Sequence, residues 1–311
     1  MKNNFYNKSL ISIKSVSKED SLYIFEMADK LKNEVIKKGK TNDLEGKILA
    51  ALCYEPSSRT FSSFITAIQR LGGGFIPLNG MEHTSVAKGE TISDTAKVFS
   101  SYADIIVLRH PVVGSVSEFA KSATVPVINA GDGSREHPTQ AFLDSYTIGK
   151  HFKSFENITV GLVGDLLYGR TVHSLSLLLS KLGVKKFIFI SPDLLKMPPE
   201  IVSGLKMLNC EITESESLDS SIGNMDIIYM TRVQKERFSD ILVYEKYKLA
   251  YILNKSLMQK AKSSSIVLHP LPRVGEILEE IDSDPRALYF REEMRNGLYV
   301  RMAIIKSILM Q

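Results

Sequence analysis

Several polar clusters in this chain join anion-binding side chains to positions where a fold can present them. The segment Glu55-Pro56-Ser57-Ser58-Arg59-Thr60 follows an apolar run and opens an amphipathic stretch. Hydroxyls on Ser57, Ser58 and Thr60 are donors, and Arg59 offers a planar fork that fits phosphate oxygens. Ser57 or Ser58 also suits the N-cap of the following helix. On these residues alone, a phosphate site and an ordinary capped helix with a solvent-facing arginine weigh equally. The segment Gly164-Asp165-Leu166-Leu167-Tyr168-Gly169-Arg170-Thr171 also lies between a strand and a helix candidate. It departs from the nucleotide phosphate loop by carrying Arg170 where lysine belongs, and a bulky guanidinium does not replace a slim ammonium. It reads as an arginine presented at a helix start to a carboxylate or phosphate. A nucleotide-binding loop is the alternative.

Further polar groups fall at strand ends or in loops: Arg109-His110-Pro111, His137-Pro138-Thr139-Gln140, Thr231-Arg232-Val233-Gln234 and His269-Pro270-Leu271-Pro272-Arg273. A single histidine is more often structural than catalytic. His137, however, precedes a proline in a turn-forming stretch, where side chains tend to face a cleft. Ser85 and Lys88 share a polar, glycine-containing loop that can fold over a phosphate or be plain surface. The six histidines and two cysteines match no zinc spacing, so no metal is expected. No Gly-x-Ser-x-Gly elbow or other nucleophile signature is present.

The elements that must carry these groups alternate between short β-branched runs and amphipathic stretches, the pattern of a parallel α/β sheet. Strands are expected at 47–53, 104–108, 126–129, 158–163, 186–190, 226–230 and 266–268. Helices are expected at 58–71, stopped by Gly72-Gly73-Gly74, and at 171–182, stopped by Gly183. The acidic, serine-rich 211–221 reads as a solvated connection, and the basic 30–40 as the outer face of an N-terminal helix. Residues 297–311 carry an apolar face and read as a closing helix. With 311 residues, 44% of them hydrophobic, the chain is long enough for two domains and needs no disulfide staple, so Cys53 and Cys210 read as buried thiols. A net charge of +4, from 39 basic and 35 acidic residues, argues against nucleic-acid or membrane binding. No apolar stretch is long enough to span a bilayer and the N-terminus is not a signal peptide, which points to the cytoplasm.

Taken in order along the whole chain, these motifs resemble the aspartate/ornithine carbamoyltransferase family. Arg232-Val233-Gln234 and His269-Pro270-Leu271-Pro272 resemble its aspartate branch, since the ornithine branch typically carries cysteine where Pro270 stands. The resemblance implies two domains, each a mostly parallel sheet flanked by helices. The first (1–152, with the C-terminal helix 290–311 packing back on it) would bind carbamoyl phosphate, and the second (153–289) aspartate. It implies transfer of a carbamoyl group from carbamoyl phosphate to L-aspartate, giving N-carbamoyl-L-aspartate and phosphate, early in pyrimidine synthesis. Carbamoyl phosphate would meet Ser57, Ser58, Arg59, Thr60, Ser85, Arg109, His137, Gln140, Pro270 and Leu271. Of these, Arg59, Thr60, Arg109 and His137 would be catalytic. Aspartate would meet Lys88, Arg170, Thr171, Arg232, Gln234 and Leu271, with Lys88 also in reach of the phosphate. The resemblance further implies no cofactor and a homotrimer with Ser85 and Lys88 donated by a neighbouring chain. Regulatory chains accompany some relatives. Another amine acceptor, such as ornithine, is the remaining alternative within the family.

Overall fold

The computed structural model describes residues 1–81, 84–238 and 240–311. The chain divides into two units, Met1–Tyr146 with Arg295–Gln311, and Thr147–Met294. The first holds four parallel strands, β1 (Ile48–Cys53), β2 (Gly74–Asn79), β3 (Ile105–His110) and β4 (Val127–Asp132), in the order β2-β1-β3-β4. Around it run α1 (Lys18–Lys38), α2 (Arg59–Arg70), α3 (Ile92–Ser100), α4 (Ser115–Ser122) and α5 (Pro138–His151), the last continuing past the unit's border. Strands covered on both faces need an unbroken apolar run, and β1 supplies it from Leu49 to Cys53, all buried. On α2 the buried Phe64 and Ile68, with Leu71 just beyond, form the core-facing stripe that the spacing predicts.

The sequence reading places no strand after the glycine run, yet β2 begins at Gly74 itself. Its Pro77 obscures it, and an edge position, paired only with β1, is where a strand tolerates proline. In the second unit, β5 (Thr159–Val163), β6 (Lys186–Ile190), β7 (Glu211–Ser215), β8 (Ile227–Met230) and β9 (Ile266–Leu268) lie parallel in the order β7-β6-β5-β8-β9. Its helices are α6 (Arg170–Leu182), α7 (Pro199–Met207), α8 (Leu218–Ser221), α9 (Ile241–Tyr247) and α10 (Lys255–Lys260). Here the expectation of a solvated connection at 211–221 is corrected. Residues Glu211–Ser215 form the edge strand β7, whose polar side chains reflect pairing with β6 on one side only.

The last helix, α11 (Met294–Leu309), returns to the first unit. Asn7 N donates to the carbonyl of Ile308 at 2.9 Å, Lys306 pairs with Asp43 at 3.0 Å, and buried Arg301 lies over the Phe64 ring at 5.3 Å. Among the described residues, no helix is long and apolar enough to cross a membrane.

Both sheets reverse direction once. From β1 the chain moves outward to β2 and then returns to β3 on the other side of β1. From β5 it moves out through β6 and β7 and returns to β8 on the other side of β5. Open α/β sheets bind ligands beyond the strand ends at such reversals. At the second, Gly164 has φ +117°, and a Cβ there would run into the carbonyl oxygen and hydroxyl of Thr231. Gly164→Ala therefore combines backbone strain with a clash against backbone, a cost on the order of 2–4 kcal/mol. Urea unfolding should show a clearly lowered midpoint for the folded variant. An unchanged midpoint would mean that the 164 and 231 segments are not held this close.

Candidate active site

In the first unit the loop after β1 is tied to the end of β2. The N–H of Ser57 donates to Asn79 Oδ1 at 3.2 Å, and Asn79 Nδ2 donates back to the carbonyl of Ser57 at 3.3 Å. Ser57 and Thr60 are buried, whereas Ser58 and Arg59 are exposed at the start of α2. The expected N-cap takes another form: Ser58 occupies the cap position with helical φ −79° and ψ −50°, and its hydroxyl makes no capping bond. A cap hydroxyl needs an extended backbone to reach the N2 or N3 amide, which Ser58 lacks.

Strand register sets Cys53 beside Arg109, so the loop after β1 runs next to the end of β3. There Arg109 Nε donates to Glu55 Oε1 at 2.7 Å. His110 holds a turn rather than facing a ligand. Its Nδ1 accepts the Val112 amide at 3.1 Å, its ring lies 4.5 Å from that of Tyr54, and burial lowers its pKa. Asp132, at the end of β4, accepts the amides of Gly114 (2.9 Å) and Val116 (3.4 Å) at the start of α4. Glu136 accepts the Ser12 hydroxyl at 2.7 Å and the Ile13 amide at 2.8 Å, fixing the stretch before His137. His137 is buried just ahead of α5, with Thr139 Oγ1 3.4 Å from its Nδ1. Gln140 Nε2 donates to Asp144 at 2.9 Å, so the carbonyl end of its amide is the part suited to accept from an NH2 group. Ser85 and Lys88 lie on an exposed 3-10 turn, Ser85–Lys88, whose N-cap is Thr84.

The second unit is organised by Asp165. Its carboxylate accepts the Tyr168 amide at 2.9 Å and the Gln234 amide at 3.4 Å, with the Leu167 amide also directed to it, so one side chain holds the loops after β5 and β8. Its own N–H donates to Thr231 Oγ1 at 3.1 Å, and Gln234 Nε2 donates to the Tyr168 carbonyl at 2.9 Å. These loops present Arg170, buried as the first residue of α6, beside half-buried Thr171, and also Arg232, whose fork grips both carboxylate oxygens of Glu236. Burial works to lower the Arg232 pKa, but Glu236 holds it above its ordinary value. Half-buried Pro270 and Leu271 follow β9, and Leu271 has φ +54°.

The nucleotide-loop alternative for 164–171 is overturned by this geometry. A phosphate loop turns its amides toward the anion, whereas here Asp165 takes the amides of Leu167 and Tyr168 itself. The sequence motifs contain Glu55 and Asp165 without marking a role for either, and they leave out Asn79; an acidic residue directly after a strand-end glycine is the signal that could have given Asp165 its role.

The chain is similar to known proteins over nearly its whole length. A family model described as "Aspartate/ornithine carbamoyltransferase, carbamoyl-P binding domain" matches residues 8–150, and a second, "Aspartate/ornithine carbamoyltransferase, Asp/Orn binding domain", matches residues 156–308. The chain is 46% identical over 298 residues to the aspartate carbamoyltransferase catalytic subunit of Thermococcus kodakarensis, covering 96% of each. It also resembles crystal structures of Trypanosoma cruzi aspartate transcarbamoylase. The complex with carbamoyl phosphate superimposes with a TM-score of 0.94 at 39% identity, covering 99% of this chain and 98% of that one. The complex with carbamoyl aspartate and phosphate also gives 0.94, at 38% identity and the same coverage.

Burial pushes the Asp165 carboxyl up to about 6 from an ordinary 3.8, against the amides of Tyr168, Gln234 and Leu167 and the charge of Arg232. Between those values the folded chain carries more protons than the unfolded one. The stability that the protonated acid contributes is therefore full below about 3.8 and lost as pH rises through about 6, a change of about 3 kcal/mol. Asp165→Asn cannot ionise and lacks this slope. Urea unfolding at pH 4 and pH 7 should show wild type losing ground to the variant by about that amount. Parallel pH profiles would show that Asp165 titrates like an exposed carboxyl.

Proposed function

The chain belongs to the aspartate/ornithine carbamoyltransferase family, and we propose that it transfers the carbamoyl group of carbamoyl phosphate to the amine of L-aspartate. The amine attacks the carbonyl carbon, the bond from that carbon to the phosphate oxygen breaks, and N-carbamoyl-L-aspartate and phosphate leave. The amine proton passes to the departing phosphate, so no covalent enzyme intermediate is needed. Catalysis then rests on positioning and on charge complementarity. Such a reaction supplies de novo pyrimidine synthesis in the cytoplasm.

The placement of Arg170 and Arg232 supports the dicarboxylate acceptor most directly. Both follow strands flanking the reversal of one sheet, on loops that share the Asp165 carboxylate. Two guanidinium forks match two carboxylates, with Thr171 and Gln234 alongside and Lys88 as a further cation. An entering carboxylate competes with Glu236 for the Arg232 fork. In the first unit, Ser57, Ser58, Arg59, Thr60 and Ser85 supply donors for the phosphate. Thr60, Arg109 and His137 face the carbonyl oxygen as it gains charge, and Gln140 takes the carbamoyl NH2; in the second unit the Pro270–Leu271 backbone carbonyls supply acceptors for substrate. Arg109 would exchange part of its Glu55 pairing for that oxygen. On this reading the first unit binds carbamoyl phosphate and the second binds aspartate.

Arg232→Ala leaves one carboxylate of aspartate unpaired, at a cost of roughly 2–5 kcal/mol. Aspartate saturation at fixed carbamoyl phosphate should shift accordingly, while carbamoyl phosphate binding stays nearly unchanged. Unaltered aspartate kinetics would make Arg232 a surface residue and sink its role.

Assembly yields a second test. We place Ser85 and Lys88 in the site of a neighbouring chain of a homotrimer, consistent with their exposure on this one. Mixing inactive Lys88→Ala chains with inactive Arg59→Ala chains should restore part of the activity, because some hybrid sites then carry neither lesion. A fully active monomer would refute shared sites.

A further inference from the structure

His269 and Glu276 lie in the second unit outside every binding role assigned above, and both are almost wholly buried, at 1% and 3% exposure. Their contacts converge on one short turn. The His269 ring uses both nitrogens: Nε2 lies 2.7 Å from Glu276 Oε1, and Nδ1 accepts the Leu271 amide at 2.7 Å. Since a backbone N–H can only donate, Nδ1 must carry its lone pair, and Nε2 must carry the proton that Glu276 accepts. The partners thus select a neutral ring in a single tautomer.

Glu276 is itself fixed. Its Oε2 accepts the Val274 amide at 2.8 Å, and its carbonyl accepts the Leu253 amide at 2.9 Å. The main-chain N–H of His269 donates to Glu293 at 3.0 Å, anchoring the backbone that carries the ring.

What this network holds is a costly conformation. Leu271 has φ +54°, a region that β-carbon sterics disfavour by roughly 1–2 kcal/mol for an L-residue. Its side chain packs, partly buried, against the sheet's core cluster. We infer that His269 and Glu276 are positioning residues, a buried dyad whose hydrogen bond to the Leu271 amide keeps the Pro270–Leu271 backbone in the conformation that presents its carbonyls to the substrate. The inference rests on the proposed reaction for the identity of that ligand, and on the hydrogen bonds alone for the hold on the turn.

Two substitutions separate the ring's two contacts. In His269→Asn the side-chain oxygen can take the place of Nδ1 and accept the Leu271 amide, but the reach to Glu276 is lost. In His269→Gln the amide nitrogen can take the place of Nε2 and donate to Glu276, but the acceptor for Leu271 is gone. The asparagine variant should be the less stable of the two, because it leaves a buried carboxylate without its donor, yet it should keep near-normal kinetics. The glutamine variant should be closer to wild type in stability but lose about 10- to 100-fold in carbamoyl transfer, the scale expected for a misplaced binding group. Hydrogen exchange at the Leu271 amide of the ligand-free protein should be slow in wild type and the asparagine variant, and fast in the glutamine variant. A glutamine variant with wild-type kinetics, or a fast-exchanging Leu271 amide in wild type, would overturn the dyad's role. Slow wild-type exchange with no transfer to aspartate would instead overturn the proposed reaction and leave the hold on the turn standing.

Discussion

The reversal of strand order is the constraint on which the rest depends. In each sheet it parts the loops that follow two neighbouring parallel strands, β1 and β3 in one unit and β5 and β8 in the other. Hydrogen bonding between those strands sets the loops side by side, while the crossovers leave on opposite faces. At the parted segments stand Ser57, Arg59 at the start of α2 and Arg109 at the end of β3 in the first unit, and Arg170 at the start of α6 with Arg232 and Gln234 after β8 in the second. The same topology used twice thus gathers arginine and hydroxyl side chains at two strand-order reversals on one chain.

Loops parted in this way expose main-chain amides that sheet pairing no longer satisfies. Buried carboxylates satisfy them here. Asp132 takes amides at the start of α4, Asp165 takes those of two separate loops, and Glu276 reaches the Leu271 amide through a histidine ring. Burying a carboxylate is expensive unless it is well hydrogen-bonded, and at Asp165 burial outweighs the hydrogen bonds, a stability cost that packing alone would not call for. The raised pKa of Asp165 is the visible sign of that cost. Rigid loops in turn spare the arginines the entropy of finding their geometry when an anion arrives.

Much of this was legible in the sequence, in a specific way. Strands buried on both faces, such as β5 and β6, announce themselves as apolar runs, and helices such as α2 and α6 show a 3.6-residue period bounded by glycine. The edge strands β2 and β7 did not, because a strand paired on one side can carry Pro77 or a row of glutamates and serines without penalty. The arginine-bearing motifs were visible as residue types at strand ends. The groups that hold them were not, because a carboxylate that binds backbone amides has partners of no particular residue type. Gln234 and Asp165 lie far apart in sequence, and only the adjacency of β5 and β8 brings them together.

The proposed reaction carbamoylates a dicarboxylic amine without help from a nucleotide. The most direct measurement supplies purified chain with carbamoyl phosphate and, in separate reactions, aspartate, ornithine and putrescine, with carbamoyl product and phosphate followed together. Rapid transfer to aspartate is expected, with one phosphate released per product and no requirement for ATP. Ornithine and putrescine, which bring a second cation to a pocket of arginines, should react far more slowly. Faster turnover of ornithine than of aspartate, or transfer that proceeds only with ATP, would contradict it.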